Sequence, residues 1–451
     1  MKTTYIDKNT QEVNSMFLTN LKLHNFRSFE NLEIDFHPHL TVIVGSNGAG
    51  KTSILEGAAI ALSSMFVKMD GLTGRKIEKT QAHLKSYSVG STKDVQAQYP
   101  VEITASANIS DNNIKWTRSL NSSTGQTSFG TAKEITSVGT DYQKRIRSGD
   151  TELCLPIIAY YGTGRLWDYH REKQNNVFET TNRLNGYTDC VDGTTNVKLM
   201  MNWFMERTIK KYQNQELGLG GIPELEAVYS AMETCFQRIT GCDNVKIQYD
   251  MGSKELEVAY KDNNGEMMRI PINQLSDGYK GTISLVADIA YRMAVLNPQF
   301  LGNVCKETDG VILIDEVDLH LHPEWQQRIL GDLTAIFPKV QFIVTTHAAA
   351  VISSAKSENL RIMKDQQVEM VNTQVFGNDT NSIYRLIMDV PERDPGIAKL
   401  FDKFNELLKS NDFDGAEKIL DEIDEIRGGH DKEVSRNRVK LKLERIRGGS
   451  L

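Results

Sequence analysis

The chain has 451 residues, of which 39% are hydrophobic and 25% are charged, and its formal net charge is −7. These values predict an ordinary globular protein that is long enough for more than one domain. The negative charge argues against a surface that is generally coated with nucleic acid, although it is compatible with a local basic groove. The first eight residues lack the apolar core of a signal peptide, and no apolar run is long enough to span a bilayer. We therefore expect a cytoplasmic protein.

Three predicted strands precede the first glycine-rich segment. Residues 21–29 and 32–36 alternate apolar and polar side chains, which predicts two short strands. Residues 40–44 are apolar on both faces, as is typical of a central parallel strand. Residues 52–65 then carry helical periodicity. Strand, glycine loop and helix therefore follow one another in the order that a phosphate-binding loop requires.

The rest of the chain alternates between strands and helices. The pattern predicts an antiparallel lobe from residues 101–109 and 114–120, a core strand at 155–161, mainly helical structure at 195–240, a hairpin at 245–261, a helix at 282–296, and apolar strands at 311–314 and 340–344. Beyond Pro391 the pattern changes to charged amphipathic helices, which predict a separable helical tail. Residues 70–100 are polar and support no assignment.

A phosphate-binding loop is predicted at residues 45–52, where the sequence reads GSNGAGKT. Its glycines let backbone N–H groups turn toward a phosphate, and the start of the following helix adds a positive field. Lys51 is expected to contact the β- and γ-phosphates, and Thr52 to offer its hydroxyl to Mg²⁺. The alternative is a glycine turn before an ordinary helix, which the flanking strand and helix disfavour.

Two carboxylates follow the apolar strand at 311–314. At this place Asp315 is expected to reach the shell of a magnesium ion, and Glu316 to orient or deprotonate an attacking water. The alternative is a solvated acidic turn after a core strand. The phosphate loop elsewhere in the chain favours the catalytic interpretation.

Three histidines invite a functional interpretation. His347 follows the strand at 340–344, where a polar sensor of the γ-phosphate is expected. The alternative is an ordinary surface or core histidine whose hydrogen bonds are all made. His320 and His322 have the spacing of metal ligands, but they lie in the turn just past Glu316. A turn at a subunit interface explains this pair better than a separate metal site does.

A second phosphate-binding segment is predicted at residues 275–280. Ser276 and Gly278 supply a hydroxyl and a glycine at the start of the helix predicted for 282–296, which suits a terminal phosphate approached from the side opposite Lys51. The alternative is that Ser276 simply caps this helix. Because Asp315 and Glu316 follow further along the chain, we expect capping and phosphate binding to coincide.

These motifs together resemble the core of ABC-type ATPases. Residues 23–29 and 315–323 resemble the RecF, SMC and OLD branch of that family, and residues 160–165 with the charged tail are similar to PtuA, the ATPase of Septu-type and some retron anti-phage systems. The resemblance implies an α/β fold, the ABC-type P-loop NTPase fold, with a mixed central sheet, a flanking antiparallel β lobe, a helical signature lobe and a C-terminal helical tail. It implies an ATPase head at residues 1–390, divided at about 17–165, 166–300 and 301–390, and a partner-binding tail at 391–451.

The resemblance also implies roles for individual residues. ATP would be held by Ser46, Asn47, Gly48, Ala49, Gly50, Lys51 and Thr52, with Mg²⁺ at Thr52 and Asp315. Glu316, Asp315 and His347 would serve hydrolysis, and Ser276, Gly278 and Asp318 would reach the nucleotide of another copy. The glutamine that reports on magnesium stays open between Gln96, Gln98 and the turn at 161–165. Ser-Asp-Gly replaces the Ser-Gly-Gly of transporters, and the segment after His347 shows no acidic cluster of a nuclease.

Three functions compete at this stage. The first is a sensor ATPase that forms a dimer or a multiple of dimers through its ATP sites and controls a partner nuclease of the HNH kind in anti-phage defence. The second is a RecF- or SMC-like ATPase that clamps DNA, for which the basic residues between 436 and 447 could serve. The third is a nucleotide-gated scaffold with little turnover.

Overall fold

The computed structural model describes residues 16–166, 182–194, 196–261, 265–371, 373–388, 393–429 and 431–448. These residues divide into two compact units between Asn378 and Asp379. Every residue for which a role in nucleotide chemistry is predicted lies in the first unit. No helix among the described residues is both long enough and apolar enough to cross a membrane.

The strands of the first unit form four sheets. Their described bounds are β1 (Met16–Phe26), β2 (Phe29–Asp35), β3 (Leu40–Val44), β4 (Leu84–Val89), β5 (Thr92–Ala97), β6 (Val101–Ile109), β7 (Asn112–Leu120), β8 (Ile157–Tyr161), β9 (Lys246–Asp250), β10 (Glu255–Lys261), β11 (Met267–Pro271), β12 (Gly310–Ile314), β13 (Val340–Thr346), β14 (Leu360–Lys364) and β15 (Gln367–Met370).

The helices of this unit lie mainly after the phosphate loop and around the central sheet. Their bounds are α1 (Lys51–Leu62), α2 (Lys133–Arg147), α3 (Val197–Glu216), α4 (Pro223–Thr240), α5 (Asp277–Leu296), α6 (Val304–Glu307), α7 (Pro323–Gln326), α8 (Ile329–Ile336) and α9 (Ala349–Ser353). The predicted helical region at 195–240 is divided into α3 and α4 by a glycine-rich loop.

The central sheet is mixed and has the strand order β15-β14-β3-β13-β12-β8. All neighbouring strands pair in parallel except β15, which is antiparallel to β14. The strands β8, β12 and β13 are buried on both faces, which explains why their sequences are continuously apolar. Since parallel strands end at the same edge, the segments after β3, β8, β12 and β13 meet there. This edge carries the candidate site.

The remaining sheets flank the central one. The order β2-β1-β6-β7 forms an antiparallel sheet, as the alternating pattern predicts, and β9 to β11 form a second antiparallel sheet that leads toward α5. The strands β4 and β5 pair only with each other in a ribbon whose residues are almost all exposed.

The helix α5 differs from its prediction, because it begins at Asp277 and not at residue 282. Gly278, a weak helix former, therefore lies inside the first turn. A Cβ atom added at Gly278 would lie 2.6 Å from the carbonyl oxygen of His320, so the turn after Glu316 packs directly on the helix at this point. Tertiary packing thus overrides the low intrinsic helix preference of this segment.

The second unit is helical. It contains α10 (Thr380–Ile383), α11 (Pro395–Lys409), α12 (Phe413–Ile426) and α13 (Lys432–Gly448). Asp394 and Asp412 accept backbone hydrogen bonds at the starts of α11 and α12. The last three helices share a buried core that consists of Phe401, Phe404, Ala416, Ile419, Leu420, Ile423, Val434 and Leu441.

Candidate active site

The predicted phosphate loop connects β3 to α1 as a tight turn. Gly48 and Gly50 have φ angles of 82° and 96°, which L-residues with side chains rarely adopt. A Cβ atom at Gly50 would collide with the Phe29 ring and lie 2.9 Å from the Ser28 hydroxyl. The turn at residues 27–28 therefore packs on the loop so closely that glycine is required at this position.

Lys51 is 7% exposed and points back over the loop. Its Nζ donates hydrogen bonds of 2.6 Å to the carbonyl oxygen of Gly45 and of 3.0 Å to that of Ser46. Burial lowers the pKa of Lys51, while the nearby carboxylates of Glu316 and Asp315 oppose that shift. The ammonium group is thus held where phosphate oxygens could replace the two carbonyl oxygens.

Asp315 joins the phosphate loop to the central sheet. Its carboxylate accepts hydrogen bonds from the Thr52 hydroxyl at 2.7 Å and from the Thr345 hydroxyl at 2.5 Å. Its backbone N–H donates to the carbonyl oxygen of Tyr161 on the neighbouring strand. Thr52 and Asp315 therefore place two oxygen ligands side by side, as a magnesium ion that also binds phosphate and water requires.

Glu316 has a φ angle of 47°, which is unusual for a residue with a side chain and often marks a functional site. Its backbone N–H donates to the Thr345 hydroxyl at 2.8 Å, so Thr345 supports both acidic residues. The strand β13 lies between β3 and β12, and this position brings Thr345 close to the two acidic residues. Thr345 was not predicted from the sequence, where its only signal was a threonine at the end of a core strand.

A cleft of about 450 Å³ lies over these residues, in the range of small-molecule sites. It is lined by Arg27, Ser28, Asn47, Gly48, Gly50, Lys51, Thr52, Ser53, Asp315 and Glu316. The Ser28 hydroxyl is buried without a hydrogen-bond partner among the described residues, which fits a cleft that takes a polar ligand. The lining set fits a nucleotide with Mg²⁺, since it combines a phosphate loop, a lysine and the Thr52–Asp315 pair.

Several predicted residues lie beside the cleft without lining it. Ser46 and Ala49 close the loop through a 3.2 Å backbone hydrogen bond. Asp318 is buried, accepts a 2.6 Å hydrogen bond from the Thr346 hydroxyl and lies 3.8 Å from Nδ1 of the half-exposed His347. Asp318 therefore holds the last residue of β13, next to His347.

Ser276 is exposed at the start of α5, and its side chain makes no capping hydrogen bond. The predicted capping role is therefore wrong for this structure. Neither Ser276 nor Gly278 lines the cleft of its own chain. The hydroxyl at 276 is thus on the surface and apart from the phosphate loop that precedes it in sequence.

The three candidate positions for a magnesium-sensing glutamine differ in how they lie relative to the cleft. Gln96 and Gln98 lie at the base of the exposed ribbon, bond to Asp94 and to each other, and do not line the cleft. Tyr161, at the start of the third candidate segment, is adjacent to Asp315.

The histidine pair of the turn after Glu316 is a separate question, and His322 accepts a 3.4 Å backbone hydrogen bond at the start of α7. The described residues contain no cluster of three His, Cys, Asp or Glu side chains that could hold a metal ion.

Arg27 and Ser28 are cleft residues to which the sequence analysis gave no role. They form the turn between β1 and β2, and Arg27 has a φ angle of 52° and pairs with Glu56 on α1. Their only signal was their place in the run at 23–29 that carries the family resemblance. Nothing local in that run indicated that the turn would face the phosphate loop.

Two family models match the chain. One, described as an AAA domain, matches residues 20–240. The other, described as an AAA domain of a putative AbiEii toxin in a type IV TA system, matches residues 196–353. Together the two ranges contain all the cleft residues and the segments around Ser276 and His347.

Three relatives match most of the chain. It is 25% identical over 396 residues to the Retron Vc95 probable ATPase of Vibrio cholerae serotype O1 biovar El Tor, covering 77% of this chain and 73% of that protein. It is 24% identical over 490 residues to the Retron Ec83 probable ATPase of Escherichia coli, covering 95% and 86%. It is 23% identical over 424 residues to the Septu protein PtuA of Bacillus thuringiensis, covering 90% and 92%. The predicted resemblance to ATPases of retron and Septu systems is confirmed, and the sheet order agrees with the predicted α/β fold.

Proposed function

We propose that this chain binds and hydrolyses ATP with Mg²⁺ and couples that cycle to its own assembly and to a partner nuclease. The observation that carries the proposal is the convergence of Lys51, Thr52, Asp315 and Glu316 on one cleft. These residues come from the start of α1 and the end of β12, far apart in sequence. The probable-ATPase relatives support the same activity.

The chemistry of the cleft follows from its side chains. The loop amides and Lys51 bind and orient the phosphates, and Thr52 and Asp315 would hold Mg²⁺, which neutralises charge on the phosphate oxygens when bound. Glu316 is placed beside Asp315 to orient a water or accept its proton. Thr345 holds the carboxylate of Asp315 and the backbone of Glu316 in position through its hydroxyl.

Steady-state ATP hydrolysis tests this proposal. Glu316→Gln should retain ATP binding and lower the hydrolysis rate by about 10²- to 10⁴-fold, because it removes a proton acceptor and leaves the phosphate loop intact. Lys51→Ala should lose ATP binding itself. Hydrolysis by Glu316→Gln at the wild-type rate would refute a catalytic role for this residue, whereas a wild-type protein with little turnover would favour the scaffold hypothesis.

We further propose that ATP joins two copies of the chain. Ser276 is exposed and does not line the cleft of its own chain, which leaves its hydroxyl available to a nucleotide held by another copy. Gly278 packs on the turn after Glu316, so the position of Ser276 depends on the catalytic edge. The expected assembly is a dimer or a multiple of dimers.

The second unit is proposed to bind a partner chain. On α13, the side opposite the shared core exposes Val439, Leu443 and Ile446, which we call the α13 outer face. Arg436, Lys440 and Lys442 flank this face, are exposed, and make no ion pair with the described residues, whereas Arg438 and Arg445 pair with acidic residues of α12. An apolar stripe with basic edges fits a partner helix with an apolar stripe and acidic edges.

The resemblance to PtuA supports a nuclease of the HNH kind as this partner, and anti-phage defence as the setting. The pairing of Arg438 and Arg445 with α12 leaves fewer free cations for the competing proposal, a clamp on DNA.

A further inference from the structure

A buried polar network connects α5 to the catalytic edge. The Tyr161 hydroxyl donates a 2.7 Å hydrogen bond to Oδ2 of Asp288, which lies in the middle of α5. Arg292, one turn further along, donates from Nε to the same oxygen at 2.7 Å. All three side chains are nearly inaccessible to solvent. Buried polar groups of this kind stabilise the fold only while their hydrogen bonds are kept, because each lost partner leaves a desolvated group without a hydrogen bond.

The network extends into the segment at 182–188. Nη1 of Arg292 donates to the carbonyl oxygens of Gly186 and Thr188, at 2.9 Å each. Burial raises the pKa of Tyr161 well above its ordinary value, so the hydroxyl keeps its proton and remains a donor. Oδ1 of Asp288 has no hydrogen-bond partner among the described residues. The carboxylate is therefore held entirely through Oδ2.

Tyr161 is also fixed at its backbone. Its carbonyl oxygen accepts the N–H of Asp315 at 2.8 Å, so a displacement of the magnesium-binding end of β12 acts directly on Tyr161. On the other side, α5 runs without interruption from Asp277, next to Ser276, to Asp288 over about 17 Å. The helix thus contacts the catalytic edge at two points, His320 near its start and Tyr161 at its middle.

We infer that Tyr161 and Asp288 are positioning residues that link the nucleotide cleft of one copy to the Ser276 segment that it offers to another copy. The inference rests on the proposed ATP-bridged assembly. A change at Asp315 on nucleotide binding reaches α5 through the Tyr161 hydroxyl, and the rigid helix carries it to Ser276. By reciprocity, engagement of Ser276 then favours the bound state of the cleft in its own chain.

Tyr161→Phe tests the link because it removes the hydroxyl alone. Tyr187→Phe is the matched control, since Tyr187 is equally buried and lies in the segment that Arg292 contacts, but its hydroxyl donates a 2.8 Å hydrogen bond to the Pro156 carbonyl oxygen and not to α5. Both changes should lower the melting temperature to a similar extent. Only Tyr161→Phe should alter the coupling between the nucleotide cleft and the Ser276 segment.

The first readout is hydrogen exchange of the first two turns of α5 with and without Mg·ADP, which occupies the phosphate loop but lacks the terminal phosphate that Ser276 would bind. We expect Mg·ADP to change exchange there by about tenfold in the wild type and in Tyr187→Phe, and that change to be lost in Tyr161→Phe. No response in the wild type, or an equal response in all three proteins, would overturn the link.

The second readout is ATP-driven association in the Glu316→Gln background. Adding Tyr161→Phe should weaken association about tenfold, and adding Tyr187→Phe should not. If Glu316→Gln itself fails to associate, the bridged assembly is refuted, while the exchange measurement still decides the link within one chain.

Discussion

At the scale of single residues, the site depends on a hydroxyl that has no role in the nucleotide motifs. Thr345 donates to Asp315 and accepts from the N–H of Glu316, so one side chain on β13 sets the geometry of the two acidic residues that follow β12. Supporting groups of this kind usually matter nearly as much as the ligands that they orient.

Thr345→Val is expected to lower the hydrolysis rate by about 10- to 100-fold, since valine keeps the shape and loses both hydrogen bonds. ATP binding should change little, because the phosphate loop and Lys51 are untouched. Parallel measurements of ATP affinity and turnover check this. Thr334→Val, which removes a hydroxyl bonded within α8, is the control and should behave as the wild type does.

Glycines of the phosphate loop differ in what they can tolerate. Gly50→Ala should abolish ATP binding, because the new Cβ collides with Phe29 and crowds Ser28. Gly48→Ala meets no atom within 4 Å and carries only the strain of a positive φ, about 1–2 kcal/mol. Calorimetric titration with ATP, together with thermal unfolding, distinguishes the two. Equal loss of binding in both variants would contradict the packing of residues 27–28 on the loop.

At the scale of elements, prediction from sequence succeeded where periodicity reports burial. The strands β3, β12 and β13 are apolar on both faces because they lie inside the sheet, so their type and their order relative to the glycine loop could be predicted. The ribbon of β4 and β5 could not, because both its faces are exposed and no alternation marks it. The early start of α5 depends on the contact between Gly278 and His320, which no local pattern reveals.

The residues of the cleft also divide into those that local sequence predicts and those that only the tertiary structure brings there. Lys51, Thr52, Asp315 and Glu316 were predictable because each stands in a motif whose chemistry is local. Arg27, Ser28 and Thr345 reach the cleft only through the sheet order and the turn between β1 and β2. Contacts made by tertiary structure carry no periodic signal in the sequence.

The α13 outer face makes an element-scale prediction. Leu443→Asp should abolish copurification of the proposed partner from the native host, because an added carboxylate in the apolar stripe would repel the acidic edges of the proposed partner helix. Circular dichroism should show unchanged helix content, since Leu443 is 54% exposed. Leu219→Asp, at a leucine that is 58% exposed in the first unit, is the matched control. Equal recovery of the partner with both variants would reject this docking surface.

At the scale of the whole molecule, the proposed assembly makes the exposed Ser276 segment of one copy and the cleft of another two halves of one site. The cleft would supply Lys51, the Thr52–Asp315 pair for magnesium and the Glu316 carboxylate, and the start of α5 would supply a hydroxyl that does not line its own cleft. A protein built this way can report nucleotide binding as a change in assembly. The partner would then respond to that change.

Light scattering in Mg·ATP checks the assembly. Glu316→Gln should accumulate the larger species, because it binds ATP and hydrolyses it slowly, and Lys51→Ala should stay at its nucleotide-free size. Ser276→Arg, which leaves the cleft intact and blocks the proposed contact, should bind ATP without growing in size. Identical size distributions for Glu316→Gln and Lys51→Ala would rule out nucleotide as the link between copies.

The hydrogen bonds from Lys51 to the carbonyl oxygens of Gly45 and Ser46 affect the free energy of ATP binding. They fix Lys51 against the backbone of its own loop, so the loop is preorganised and binding would not have to order it. The exchange of two neutral acceptors for charged phosphate oxygens can then be favourable without a large entropic loss. In the proposed assembly, more of the free energy of ATP binding would therefore remain available to draw a second copy onto the cleft.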